Sequence, residues 1–224
     1  MVFDAKDIDG AVSFRSADPL ASWGTGRTAP VIPSLPGMLE QFHRRGLHVV
    51  ARLAVFLDGD LGSRRPDLAL HGPDGAPWSE RGCVWLDPQQ PEVRAYHLSL
   101  ALELAKAGVD EVQLDYVRFP TNGWRGDWQG DLQRTALRRQ EMIAGFLAAV
   151  RDTLQPTGVE LSADLFGIMA WERTEDLALT GQHVPTLAAL VDVICPMIYP
   201  SHFCLLYTSP SPRDRTRSRM PSSA

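Results

Sequence analysis

The sequence predicts an α/β fold, an incomplete (β/α)8 TIM barrel with about five parallel strands, on three observations. Short β-rich runs alternate with amphipathic segments of helical length, the pattern of repeated βα units. Gly46, Gly108 and Gly158 each stand between a helical segment and the next β-rich run, where a left-handed residue closes a helix. The 224 residues are 44% hydrophobic, which suits one large core better than two small ones.

In chain order, residues 2–7 read as the first strand, followed by the turn D-I-D-G, a helix over 38–45 and a second strand over 48–58. A long loop, 59–90, ends at Asp87-Pro88, a start signal for a helix over 91–107. The third strand covers 111–119, and a second long loop, 121–130, follows it. Asp131 is placed to cap a helix over 132–154. Ile143, Phe146, Leu147, Val150 and Leu154 form one apolar stripe there, leaving Arg138, Arg139 and Arg151 to water. A fourth strand over 160–166, a short helix over 186–190 and a fifth strand over 191–199 complete the pattern. A closed barrel has eight strands, so one more is expected in front and two behind.

From Cys204 the composition turns to Ser, Pro and Arg without periodicity. The run 204–214 resembles the translation of a sequencing adapter. Residues 1–203 are therefore expected to form a partial barrel, and 204–224 a non-native or disordered tail.

A formal net charge of -5 argues against nucleic-acid and anionic-membrane partners, which favour clustered Lys and Arg. No apolar run is long enough for a membrane span. The three cysteines, Cys83, Cys195 and Cys204, show no C-x-x-C spacing, and the six histidines show neither H-x-H nor H-E-x-x-H. No metal and no cofactor are expected. Oligomeric state is left open.

Strand parity sorts the chemistry-bearing residues. In 111–119, Val112, Leu114 and Tyr116 form the helix-facing set, and Gln113 and Asp115 point inward. In 160–166, Leu161, Ala163 and Leu165 face outward, and Ser162 and Asp164 inward. Two inward carboxylates late in consecutive strands fit glycosidic-bond cleavage, where one carboxyl group donates a proton and the other serves as nucleophile or base. Asp115 could instead pair with Arg118 or Lys6 in a polar layer.

Asp4 and Lys6 share the inward parity of the first strand, and Arg52, Phe56 and Asp58 that of the second. Arg52 is placed to keep a neighbouring carboxylate ionised. Tyr199 falls near the rim, where it could bind sugar or pack. Trp78, Trp85, Trp124 and Trp128 lie in the two long loops, either as sugar platforms or as clamps.

The segments V-F-D-A-K-D-I-D-G, A-R-L-A-V-F-L-D, W-L-D-P, G-V-D-E-V-Q-L-D-Y-V-R-F-P, S-A-D-L-F-G, G-Q and C-P-M-I-Y-P-S-H-F resemble the putative glycosyl-hydrolase domain family of bacteria, in order over residues 2–203. The resemblance implies a barrel of the glycosidase superfamily acting on a polysaccharide or cell-surface glycan, usually exported. It places Asp115 and Arg118 in the most specific motif and Asp164 in another. The sequence departs from the pattern at Leu57, where a Lys is expected before Asp58. A non-catalytic glycan-binding barrel and a metal-assisted hydrolase with carboxylate ligands are the competing expectations.

Overall fold

The computed structural model describes residues 1–127 and 130–198; the expectations for Trp128, Tyr199 and the tail 204–224 lie outside them. Strands β1 (Val2–Lys6), β2 (Val50–Ala54), β3 (Leu57–Asp58), β4 (Ser79–Glu80), β5 (Cys83–Trp85), β6 (Glu111–Asp115), β7 (Glu160–Phe166) and β8 (Val193–Met197) form two sheets. The principal sheet has five strands in the order β1-β2-β6-β7-β8, all parallel. Among the described residues it does not close: β1 and β8 are its edges. The expected incomplete barrel is thus present, with its five strands in sequence order.

Helices α1 (Leu35–His43), α2 (Gly59–Arg64), α3 (Pro91–Ala107), α4 (Leu132–Leu154), α5 (Thr174–Thr180) and α6 (Val184–Ala188) accompany the sheets. The termini of α3 and α4 are those predicted, because their signals act locally. Asp131 accepts from Arg134 N at 3.1 Å, and Gly108 closes α3 at φ 99°. The first helix starts earlier than predicted because Ser34 caps it, accepting from Gly37 N at 3.2 Å.

Residues 59–90 are not a plain loop. They hold α2, a 3-10 turn at Pro66–Leu68, and the two strands that complete a small antiparallel sheet, β3-β5-β4. The strand predicted over 48–58 accordingly splits. β2 ends at Ala54, and Leu57 pairs antiparallel with Trp85. Alternation does not survive that break, so Phe56 is not inward: its ring is fully buried, 5.0 Å from that of Phe146 on α4.

The core lies between the sheet and its helices. Val93, Leu100 and Leu104 of α3 and Ile143, Phe146, Leu147 and Val150 of α4 are buried with Leu53, Val112, Leu114, Leu161, Ala163 and Leu165 of the strands. Each large apolar side chain so buried contributes about 1.5–3 kcal/mol. Arg139, expected in water, is only 2% exposed. Its guanidinium lies 4.8 Å from the rings of both Phe119 and Trp124, donates to Ala178 O and Leu179 O, and pairs with Asp127. A flat, multiply donating cation can close the last turn of α5 while stacking on two rings, which a stripe rule based on charge does not anticipate.

Candidate active site

The β6–β7 register ends at Leu114↔Ala163, so the next residues, Asp115 and Asp164, stand at the same level of neighbouring strands at the carboxyl edge of the sheet. Both are largely buried, at 7% and 8% exposure.

Asp115 is held from two sides. Its Oδ2 accepts from Arg52 Nη2 at 2.5 Å and Nε at 3.2 Å, and its Oδ1 accepts from the backbone N–H of Tyr116 at 2.6 Å. The second bond depends on a backbone feature, because Tyr116 adopts φ 54°, the left-handed region that non-glycine residues rarely enter. That conformation ends β6 at Asp115 and turns the amide back onto the carboxylate. It also overturns the helix-facing placement expected for Tyr116. The ring lies 6.0 Å from that of Trp85, under the guanidinium of Arg118.

Arg52 also donates to Asp4 Oδ1 at 2.6 Å and lies 3.6 Å from Asp7. Partial burial works against its charge, but the bonds to Asp115 and Asp4 outweigh that and raise its pKa above the ordinary arginine value. The cation expected beside Asp115 is therefore Arg52.

Asp164 occupies a different environment. Burial first, and then the charge of Asp115, push its carboxyl up to about 6, against the opposing effects of Gln113, Arg52 and Cys195. Gln113 Nε2 donates to Asp164 Oδ1 at 2.8 Å. Two neighbouring carboxyl groups thus have unlike surroundings, one ion-paired and one desolvated, the division of labour used in acid–base chemistry.

Beyond the two carboxylates, Gln182 spans the gap where β6 and β7 diverge. Fully buried, it donates from Nε2 to Val117 O at 3.4 Å and Asp164 O at 3.2 Å, and accepts from Phe166 N at 3.2 Å. The G-Q motif was the sequence signal for it, but nothing local showed where its amide would reach.

Other expected site residues fall elsewhere. Lys6 and Asp58 do not join Asp115: the β1–β2 register shifts between Asp4 and Lys6, and Lys6 pairs with Leu53, a core residue. Its ammonium is fully buried, 2.9 Å from Asp58 Oδ2 and 2.6 Å from Ala54 O. Asp58 caps α2, accepting from Leu61 N at 2.7 Å. The pair anchors β1 to α2, so its inward assignment is corrected by a β-bulge that simple alternation misses.

Arg118 makes no direct ion pair with Asp115. It stacks 4.8 Å from Trp85 and 4.7 Å from Phe166 and donates to Phe119 O at 3.0 Å, and burial lowers its pKa. Trp124, expected as a possible sugar platform, is a clamp. It is 4% exposed, stacked 5.6 Å from Phe119, and its Nε1–H bonds His71 O.

At the opposite, amino edge of the sheet, His48, Glu111 and Glu160 bring ligand-type atoms within 4.8 Å of one another. His48 lies 3.0 Å from Glu111, whose other oxygen accepts from the Ser162 hydroxyl. These residues come from three chain segments, and spacing motifs cannot reveal such a grouping.

A parallel open sheet with acidic residues at its carboxyl edge has the architecture of the TIM-barrel glycoside hydrolases. The chain belongs to the family described as "Putative glycosyl hydrolase domain", whose model matches residues 1–218. A hypothetical protein from Ruminiclostridium thermocellum ATCC 27405 is 32% identical with TM-score 0.57, the match covering 73% of this chain and 81% of that one. The PgaB (BpsB) glycoside hydrolase domain from Bordetella bronchiseptica has TM-score 0.65 at 16% identity, over 88% of this chain and 63% of that one. An α-amylase from Lactobacillus plantarum has TM-score 0.55 at 15% identity, over 86% of this chain and 44% of that one. At those lower identities the likeness concerns the fold alone. No curated protein matches the chain. No helix among the described residues is long and apolar enough to cross a membrane.

Proposed function

We propose that the chain is a glycoside hydrolase that cleaves a polysaccharide or cell-surface glycan, with Asp164 as general acid and Asp115 as the ionised partner. The observation that carries this reading is the contrast between two carboxyl groups at one level of adjacent strands. Arg52 and the Tyr116 amide stabilise Asp115 as an anion. Asp164, held up at about 6, retains a proton to give at mildly acidic pH.

Asp115 and Asp164 stand on neighbouring strands just beyond their last register pair; carboxyl groups roughly 5–5.5 Å apart serve retaining enzymes, and roughly 6.5–9.5 Å admits a water between them. The course proposed for neighbouring carboxyl groups is the retaining one: Asp115 attacks the anomeric carbon as Asp164 protonates the departing oxygen, and Asp164 then activates the water that releases the sugar. Burial of Trp124 weighs against a binding-only role built on exposed indoles.

The test is hydrolysis of a panel of bacterial polysaccharides, with the anomer first formed read by NMR. Retention, abolished by Asp115→Asn, supports the proposal. An inverted product rejects the retaining course, and glycan retention without turnover favours the non-catalytic alternative. Turnover abolished by chelation and restored by a divalent cation would point instead to metal-assisted hydrolysis.

A further inference from the structure

Two uncharged side chains engage Asp164 from opposite flanking strands. On β6, Gln113 donates to Oδ1 at 2.8 Å. On β8, Cys195 is the register partner of Asp164, so its thiol stands on the same face beside that carboxyl group. Alternation places Gln113 and Asp115 on one face of β6, and Ser162 and Asp164 on the same face of β7. Cys195 extends that face onto β8.

Resting on the reading of Asp164 as the acid, we propose that Gln113 and Cys195 are positioning residues that fix the Asp164 carboxyl in one orientation, with Gln113 occupying Oδ1, so that Oδ2 carries the proton delivered to the leaving oxygen. A carboxylic acid has two nearly equivalent oxygens, and only one can point at a given glycosidic oxygen. A donor seated on Oδ1 makes that oxygen the acceptor and leaves the acidic proton on the other. Without it the group can rotate, and the proton is delivered from a smaller fraction of conformers.

The charged and titratable groups acting on Asp164 are Asp115 on β6, Arg52 on β2 and Cys195 on β8. From the linker between α5 and α6, Gln182 binds only its backbone carbonyl. Gln113 and Cys195 both favour the anion, so losing either raises the pH at which Asp164 titrates. The direction is specific, because a general loosening that admitted water would lower it.

The experiment compares the full 224-residue chain with Gln113→Met, Gln113→Glu, Cys195→Ala and Cys195→Ser. Carbon-13 NMR titration follows the Asp164 carboxyl, assigned by its disappearance in Asp164→Asn. Turnover is read on paired synthetic glycosides, one with a nitrophenyl leaving group and one with an alkyl group that needs protonation to leave. The expected result is an upward shift of Asp164 in Gln113→Met, Gln113→Glu and Cys195→Ala, and a titration near the parent's in Cys195→Ser, which keeps a donor. Gln113→Met should slow the alkyl glycoside about tenfold while leaving the nitrophenyl glycoside near the parental rate.

An unmoved Asp164 in folded Gln113→Met and Gln113→Glu overturns the positioning role, as does equal slowing of both glycosides. An upward shift in a chain that hydrolyses neither glycoside nor polysaccharide supports the contact but rejects Asp164 as an acid. Failure of the positioning and failure of the catalytic reading are thus separable.

Discussion

Replacing Asp164 by Asn removes a charge whose burial opposes folding at neutral pH. In the folded chain the carboxyl is raised from 3.8 to about 6, and the residue is 8% exposed. At about 1.4 kcal/mol per pH unit, the difference amounts to a ceiling of about 3 kcal/mol once both folded and unfolded forms are ionised. Between about pH 4 and pH 6 the folded state binds more protons than the unfolded one, so this contribution to stability falls as pH rises through that window. Below it both states are protonated and the contribution vanishes.

Asn keeps the shape and an oxygen for Gln113 but never ionises. Asp164→Asn should therefore unfold at higher urea than the parent at pH 7, by up to about 3 kcal/mol, and nearly match it at pH 4, within about 0.5 kcal/mol. Far-UV circular dichroism of urea unfolding at the two pH values measures the difference directly. A gap of the same size at both pH values, or a variant less stable at pH 7, would refute the assignment of Asp164 as a desolvated acid. A group whose ionisation is strained in the resting fold is a common signature of function kept at the expense of stability.

Asp115→Asn should keep the fold while lowering turnover by two or more orders of magnitude, checked by hydrolysis assays beside thermal unfolding; near-parental turnover would remove Asp115 from the mechanism. Trp124→Ala should destabilise by about 3–5 kcal/mol through the lost stack on Phe119 and Arg139, with KM for any substrate little changed, since the indole is buried. Lys6→Met should cost about 3–5 kcal/mol in denaturant unfolding, because it leaves Asp58 charged and buried without its partner. Adding Asp58→Leu should recover part of that loss.

The parts readable from sequence were those set by local signals. The ends of α3 and α4 followed from capping residues and terminal glycines, and the inward placement of Gln113, Asp115, Ser162 and Asp164 followed from period-two alternation along uninterrupted strands. Each miss lay where a nonlocal contact or a backbone irregularity intervened. The bulge between Asp4 and Lys6 redirected Lys6, the left-handed Tyr116 ended β6, and the turn after Ala54 carried Phe56 and Asp58 away from the inward face. Arg139 was misplaced, and the choice between platform and clamp for Trp124 stayed open, because each answers to the other and to Phe119, partners brought together only by the fold. The pairing of Arg52 with Asp115 was anticipated in kind, since an inward cation beside an inward carboxylate has few other ways to be satisfied.

Gln182 gives the two carboxyl groups a hinge pin. Below Asp115 and Asp164 the strands are laced together by their own hydrogen bonds; above them the lacing stops and one buried amide bridges the fork. The fork above the carboxyl groups is thus bridged by a side chain that arrives from the α5–α6 linker, far along the chain from Asp115. The spacing of the strands at that level is tied to a segment that supplies neither carboxylate.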